Sequence, residues 1–130
     1  MNQKLTKGEK LKSRKQIAKL FLKNNAVFVY PIKFIWSDAD SEQQAPIQVL
    51  ISVPKRNFKR AVDRNRLKRL LWEAYRRNKE ILYLEIGQNR KPILLGLLYV
   101  GKELLPYVEI EKSVVKALDK IKDELTKKDS

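Results

Sequence analysis

The 130-residue chain is strongly basic, with 29 lysines and arginines against 15 aspartates and glutamates, a net charge of +14 and an isoelectric point near 10.0. It has no cysteine and no histidine, which excludes a disulfide scaffold, a thiol nucleophile and a histidine general base. Its 43% hydrophobic content suits one globular domain over residues 1–130, and its charge favours a polyanionic partner such as nucleic acid.

The N-terminal segment is polar and basic. Residues 1–12 are therefore predicted to form a flexible tail, and Ser13 is suited to cap a first helix that ends near Asn24 or Asn25. Apolar positions at Ile17, Leu20 and Phe21 give this helix one packing face. The chain shows neither the apolar core of a signal peptide nor a run long enough to span a membrane, so we expect a cytoplasmic protein.

Two strand-like runs follow the first helix. Residues 27–36 are rich in β-branched and aromatic side chains, but Pro31 cannot donate to a ladder and predicts either an edge strand or a break into two strands. Residues 47–53 form the second run, and the two runs are predicted to pair as a hairpin. The connecting loop carries acidic residues but lacks the glycine and distal glutamate of a calcium loop, so we expect no metal site at Asp38, Asp40 and Glu42.

The most charged part of the chain is residues 55–77, which hold ten basic and two acidic residues. Within it, apolar residues recur at the spacing of one helical face: Leu67, Leu70, Leu71, Ala74 and Tyr75. The opposite face carries cations, so one helix is predicted to pack with one side and bind a polyanion with the other. The alternative is a solvated basic face without a partner.

The C-terminal part predicts a strand and a helix. Residues 92–101 are almost uniformly apolar, as in a buried central strand, in which Gly96 either weakens the strand or allows close packing. Residues 108–125 have a helical apolar rhythm and precede a charged tail at residues 126–130. The order α-β-β-β-α-β-α predicts an α/β (α+β) sandwich in which one mixed sheet of about four strands is covered by helices.

The sequence RAVDRNRLKRLL at residues 60–71 resembles the signature of the bacterial ribonuclease P protein subunit. The preceding SVPKR, at residues 52–56, and the following EAYR, at residues 73–76, agree with it, and the resemblance extends over about residues 5–125. It implies a small protein that binds a large catalytic RNA and helps that RNA to remove the 5′ leader of precursor tRNA. It also implies a left-handed β-α-β crossover, contrary to the usual rule.

The resemblance implies that this chain has no catalytic residue of its own and binds no metal ion, because the chemistry belongs to the RNA and its Mg²⁺ ions. We expect a monomer apart from its RNA partners. The surface against the catalytic RNA is predicted from the matching positions, with most weight on Arg64, Asn65 and Arg66. The full set is Lys55, Arg56, Lys59, Arg60, Arg64, Asn65, Arg66, Lys68, Arg69 and Arg76.

By the same resemblance, a cleft between the first helix and the sheet holds the single-stranded leader through aromatic stacking and basic groups. Phe21 matches the aromatic of the first helix, and Trp36 or its neighbour Phe34 approximately matches that of the early strand. Lys33 and Lys55 are expected to supply phosphate contacts. For Phe21 and Phe34 a plain core position is the alternative, whereas Trp36 is expected to be exposed. Trp72 is left open between stacking on RNA, a cation–π contact with Arg76 and a structural role.

Two other functions compete with this interpretation. A ribosomal or other structural RNA-binding protein fits the composition but does not predict the continuous signature after a strand. A DNA-binding helix-turn-helix requires a second helix just upstream of the basic helix, where this sequence predicts a strand instead.

Overall fold

The computed structural model describes residues 7–39, 45–86 and 91–128. Within these ranges the sheet has four strands in the order β1-β2-β4-β3, in which β2 is antiparallel to both its neighbours and β3 is parallel to β4. This confirms the predicted mixed sheet with helices. The elements are α1 (Arg14–Leu22), β1 (Asn25–Val29), β2 (Ile32–Asp38), β3 (Ile47–Ser52), α2 (Ala61–Asn78), α3 (Glu80–Ile86), β4 (Ile93–Tyr99) and α4 (Tyr107–Lys128).

The strand pairing differs from the prediction in one respect. The break at Pro31 is confirmed, because β1 and β2 form a hairpin that turns at Tyr30 and Pro31. The predicted hairpin between residues 27–36 and 47–53 is wrong, because β4 lies between β2 and β3. Most of β4 is buried on both of its faces, which makes it suited to the interior of the sheet and displaces β3 to an edge.

The two faces of the sheet are covered unequally. On one face, α2 and α4 enclose the main core, in which Ile32, Phe34 and Trp36 of β2 are buried. On the other face, Leu20 of α1 packs in a smaller cluster with Ile35 and with residues of β4 and the N-terminal segment. α1 approaches closely because Gly96 has no side chain: a Cβ there would lie 2.9 Å from Ile35 and 3.4 Å from Leu20. This confirms the close-packing interpretation of the glycine.

The crossover connection from β3 through α2 to β4 is left-handed. Val49 faces α2, and its carbonyl accepts a 2.9 Å hydrogen bond from the Leu11 N–H at the outer edge of β3. Ile93 also faces α2, and its N–H donates to Pro46, toward β3. Consider a strand of L-residues that runs upward and is viewed from the helix side of the sheet. A residue whose side chain points toward the viewer then has its backbone N–H and C=O on the right. With the helices in front, β4 therefore lies to the left of β3, as the resemblance implies and against about 98% of such connections.

The described ends of the chain are held more firmly than predicted. The flexible tail predicted for residues 1–12 is wrong for residues 8–12: Glu9 and Leu11 are buried, and the Gln48 side chain donates to the Gly8 carbonyl at 3.0 Å. α4 continues to Lys128, so residues 126–128 belong to a helix and not to a tail. Ser13 caps α1 as predicted, accepting a hydrogen bond from the Gln16 N–H. The helix α3 was not predicted.

Candidate nucleic-acid interface

The turn between β3 and α2 carries four exposed cations on a fixed backbone. Phe58 in the middle of the turn is buried, and its ring contacts Tyr99 edge to face with the centroids 5.8 Å apart. This apolar anchor holds the turn against the core, because an aromatic side chain buries a large area. The flanking side chains are left in solvent at Lys55, Arg56, Lys59 and Arg60.

The helix α2 is two-sided, as its sequence predicts. Its apolar side is buried against the sheet and α4 through Leu67, Leu71, Ala74 and Tyr75. Its opposite side is exposed over the first two turns and carries Asn65, Arg66, Lys68 and Arg69. These residues and the turn cations form what we call the basic surface: Lys55, Arg56, Lys59, Arg60, Asn65, Arg66, Lys68 and Arg69.

Arg64 differs from the cations of the basic surface because it is half-buried and bound to the backbone. Its Nη1 donates to the carbonyl of Phe58 at 2.7 Å and to that of Lys59 at 2.9 Å. Arg60, at the N-cap of α2, makes no side-chain capping bond. The guanidinium of Arg64 thus joins the first turn of α2 to the preceding loop in place of a side-chain cap. The sequence predicts the same role for Arg64 and Arg66, whereas only Arg64 is bound to the backbone carbonyls of the turn.

The C-terminal end of α2 is less available to an anion than its N-terminal end. Arg76 donates to Glu73 from Nε at 3.2 Å, and Arg77 lies 3.8 Å from the same carboxylate. The hydrogen bond from Arg76 lowers the pKa of Glu73, while burial acts in the opposite direction. The hydrogen bond to Glu73 likewise raises the pKa of Arg76. Arg76, which was predicted with the RNA-binding set, therefore has an acidic partner next to it.

Trp72 lies on α2 between Lys68 and Arg76, about 40° around the helix from each. It is partly buried against the main core, and Lys10 from the N-terminal segment lies over its ring at 5.3 Å from the centroid. The cation over Trp72 is therefore Lys10 and not Arg76, which settles one of the alternatives that the sequence left open.

Two of the predicted cleft residues lie in the core. Phe34 is 0% exposed, and Trp36, which was expected to be exposed, is 3% exposed. Both point to the face of the sheet covered by α2 and α4, because they alternate with Lys33 and Ile35 on the same strand. The prediction of Phe34 and Trp36 as stacking residues is therefore wrong: no base can reach either ring while the core is intact.

The opposite face of the sheet presents an aromatic residue that sequence analysis missed. The hairpin pairs Phe28 with Lys33, and β2 pairs Lys33 with Leu98. This row lies beside the part of the sheet that α1 covers, and Phe28 is 56% exposed. The signal was present in the sequence: a two-residue turn at residues 30–31 places Phe28 opposite Lys33.

α1 directs Phe21 toward this row. The Lys19 side chain donates to the Asp38 carbonyl at 3.1 Å, so that side of α1 faces the Asp38 end of β2. Phe21 is about 160° around the helix from Lys19 and therefore faces the Lys33 end. It is 49% exposed, which suits the predicted stacking residue. From this register and helix orientation we infer one open region beside α1, bordered by Ile17, Phe21, Phe28, Lys33 and Leu98, which we call the open groove.

Lys55 connects the open groove with the basic surface. The row of Phe28, Lys33 and Leu98 continues to Ser52 at the end of β3, and Lys55 follows three residues later. In the described ranges no group of three or more side chains is arranged to hold a metal ion. Asp40 and Glu42 of the acidic loop lie outside the described residues. Nor does any helix in the described part of the chain have the length and apolar character needed to cross a membrane.

Comparison with known proteins agrees with this architecture. The model of the Ribonuclease P family matches residues 5–122. The ribonuclease P protein component of Porphyromonas gingivalis (strain ATCC 33277) is 34% identical over 117 residues, which cover 90% of this chain and 85% of that protein. The protein component of Chlorobaculum tepidum is 33% identical over 113 residues, covering 81% and 73% of the two chains.

Solved structures show the same fold at lower sequence identity. The RNase P protein from Thermotoga maritima superposes with a TM-score of 0.67 at 18% identity, covering 86% of this chain and 96% of that one. The RNase P protein of Staphylococcus aureus gives a TM-score of 0.67 at 17% identity, with 88% and 95% coverage.

Proposed function

Because the chain belongs to the ribonuclease P protein family, we propose that it binds the catalytic RNA of ribonuclease P and the 5′ leader of precursor tRNA, and so assists removal of the leader in the cytoplasm. The observation that carries this proposal is the division of α2 into a side buried in the core and an exposed side that continues the cations of the preceding turn. Such a surface suits a folded, anionic partner.

The basic surface is proposed to bind the catalytic RNA. Its cations neutralise phosphates and release the counterions condensed on the RNA, which gives strong and salt-dependent binding. Asn65 adds amide hydrogen bonds, which are directional in a way that a lysine charge is not. Because Phe58 and Arg64 anchor the turn, the backbone that carries the turn cations is already ordered before binding, which lowers the entropy lost on binding.

The open groove is proposed to hold the leader. A single strand is bound by stacking of its bases on aromatic faces and by cations along its backbone. Phe21 and Phe28 offer exposed rings on the two sides of the groove, and Lys33 lies directly beside Phe28 in the sheet. Lys55 belongs to the basic surface and follows the groove row by three residues, so a leader leaving the groove there would approach the catalytic RNA.

The chemical step is proposed to take place on the RNA with its Mg²⁺ ions. The protein assists by positioning the substrate and by replacing part of the ionic screening that folded RNA otherwise takes from magnesium. The role proposed for the chain is electrostatic and positional, which fits its excess of exposed cations.

The experiment that tests this proposal is a reconstituted cleavage assay with a bacterial ribonuclease P RNA and a leader-bearing precursor tRNA. With the protein, cleavage at the mature 5′ end is expected to proceed at a lower magnesium concentration than with the RNA alone. A double variant of the basic surface, Arg66→Gln with Arg69→Gln, should need more magnesium for cleavage than the wild-type protein does. Tight binding to RNA without any effect on cleavage at any salt or magnesium concentration would instead favour a structural RNA-binding protein.

A further inference from the structure

The N-terminal segment adds a strand-like edge to the sheet. Lys10 forms a parallel bridge with Val49 of β3, and the Leu11 N–H donates to the Val49 carbonyl at 2.9 Å. Leu11 is buried in the cluster beneath α1. This segment, residues 8–12, covers the outer edge of β3 and is called the N-terminal strap below.

A buried ion pair also binds the strap to the chain between α2 and α3. Glu9 is 4% exposed and Lys79, between α2 and α3, is 3% exposed. Lys79 Nζ lies 2.9 Å from Glu9 Oε2 and 3.1 Å from Oε1, and the Tyr83 hydroxyl donates to Oε2 at 2.6 Å. Burial raises the pKa of Tyr83, and its hydrogen bond to Glu9 adds to that rise, so the hydroxyl remains a donor. Loss of either charge would break this ion pair inside the fold, which is costly.

The strap places one cation next to the basic surface. Lys10, between the anchored residues Glu9 and Leu11, is exposed and lies over the Trp72 ring at 5.3 Å from its centroid. Trp72 is next to Lys68 on the outer side of α2. A lysine over an indole ring is held by the quadrupole of the ring while its ammonium remains open to an anion. Lys10 therefore continues the line of cations that begins in the turn before α2.

We propose that the N-terminal strap is part of the surface that binds the catalytic RNA, with Lys10 contacting a phosphate, and that the Glu9–Lys79 pair positions Lys10 for that contact. This inference rests on the function proposed above. It assigns an RNA-binding role to a segment whose sequence predicted only a flexible tail. Glu9 and Lys79 are positioning residues in this scheme and do not touch RNA.

The test measures the affinity of the full-length protein for the catalytic RNA across a potassium chloride titration. A lysine that contacts a phosphate adds about 1 to the slope of log affinity against log salt. Lys10→Gln should reduce the slope by that amount and weaken binding, whereas Lys10→Arg should retain both. Lys116→Gln, at an exposed position on α4, removes the same charge elsewhere and should leave the slope unchanged. Equal slopes for Lys10→Gln and Lys116→Gln would overturn the proposal.

Glu9→Gln tests the positioning role. If Glu9 acts through Lys10, the slope should fall as it does in Lys10→Gln, and the double variant should show no further loss. Additive losses would contradict the positioning role. If Glu9→Gln does not fold, the Lys10 variants still test whether the strap binds the catalytic RNA. Failure of the wild-type protein to bind the catalytic RNA would refute the proposed function. Wild-type binding that is weakened by Arg66→Gln but not by Lys10→Gln would refute only the strap.

Discussion

The two faces of the sheet make opposite use of the same strands. Beneath α2 and α4 the face is closed, and the aromatic rings of β2 serve as core. Beneath α1 the face is only partly covered, and Phe28 and Lys33 remain open to a ligand. One residue along a strand therefore separates a ring that stabilises the fold from one that is free to stack on a base. The two proposed modes of recognition therefore lie on different parts of the molecule: stacking on the half-covered face, and charge on the outer side of α2.

The largest expected effect is a loss of folding stability when a buried aromatic ring of β2 is removed. Phe34→Ala should lower the free energy of unfolding by about 3–5 kcal/mol, because it removes a fully buried ring and leaves a cavity. Phe28→Ala, on the paired strand but on the open face, should change it by less than about 0.5 kcal/mol. Urea unfolding followed by circular dichroism checks both. Comparable losses in the two variants would show that the faces are not different in the way described.

The next effect concerns the leader. Phe28→Ala should reduce the preference for precursor over mature tRNA by about 1–3 kcal/mol, the contribution of one base stacked on an aromatic ring. Binding of the two tRNAs to the reconstituted complex gives this preference directly. Leu22→Ala, a strongly exposed apolar position on α1, is the matched control and should leave the preference unchanged. An unaltered preference in Phe28→Ala would contradict the proposal that the open groove binds the leader.

A smaller effect should distinguish the two arginines that flank Asn65. Arg64→Lys keeps the charge but cannot reproduce the guanidinium bridge to the carbonyls of Phe58 and Lys59, so the turn cations should lose their fixed arrangement. We expect affinity for the catalytic RNA to fall by about tenfold, about 1.4 kcal/mol. Arg66→Lys, on the exposed side of α2, should change it much less. If the two variants behave alike, Arg64 has no role in positioning the turn.

The smallest effect is expected at the C-terminal end of α2. Glu73→Gln removes an acidic neighbour of Arg76 and Arg77, so affinity for the catalytic RNA should rise by only about two- to fivefold, because exposed ion pairs contribute little. Glu124→Gln makes the same change in net charge on α4, next to Lys127. A similar rise in Glu124→Gln would mean that net charge and not the local arrangement is responsible.

Much of the fold was predictable because its signals are local. Ser13 as a helix cap, Pro31 as a strand break and the two-sided character of α2 are each properties of a few neighbouring residues. The pairing of β3 was not predictable in the same way, because it depends on β4, which lies more than forty residues further along the chain. Both runs are apolar, and nothing local determines which strand takes the interior position.

The candidate site was predictable in its charges but only in part in its aromatic rings, because Phe21 is exposed as the prediction requires while Phe34 and Trp36 are buried. The cations of the basic surface follow from the periodicity of α2, whereas Phe34 and Trp36 were assigned to the cleft by approximate matching without the alternation of β2. The turn at Tyr30 and Pro31 would have placed Phe28 on the open face. The contact of Arg64 with the turn could be seen only in the three-dimensional structure. Its partners are backbone carbonyls, which the pattern of side chains does not predict.

The central claim, that charge and stacking act through separate surfaces, is tested most directly by a double-mutant cycle in the reconstituted complex. Arg66→Gln, Phe28→Ala and the double variant would be compared for binding of precursor and mature tRNA and for affinity to the catalytic RNA. We predict that Arg66→Gln weakens binding to the catalytic RNA, that Phe28→Ala lowers the preference for precursor, and that the double variant shows both losses, additive to within about 0.5 kcal/mol. A coupling energy above about 1 kcal/mol, or the same loss from both single variants in both assays, would contradict the claim.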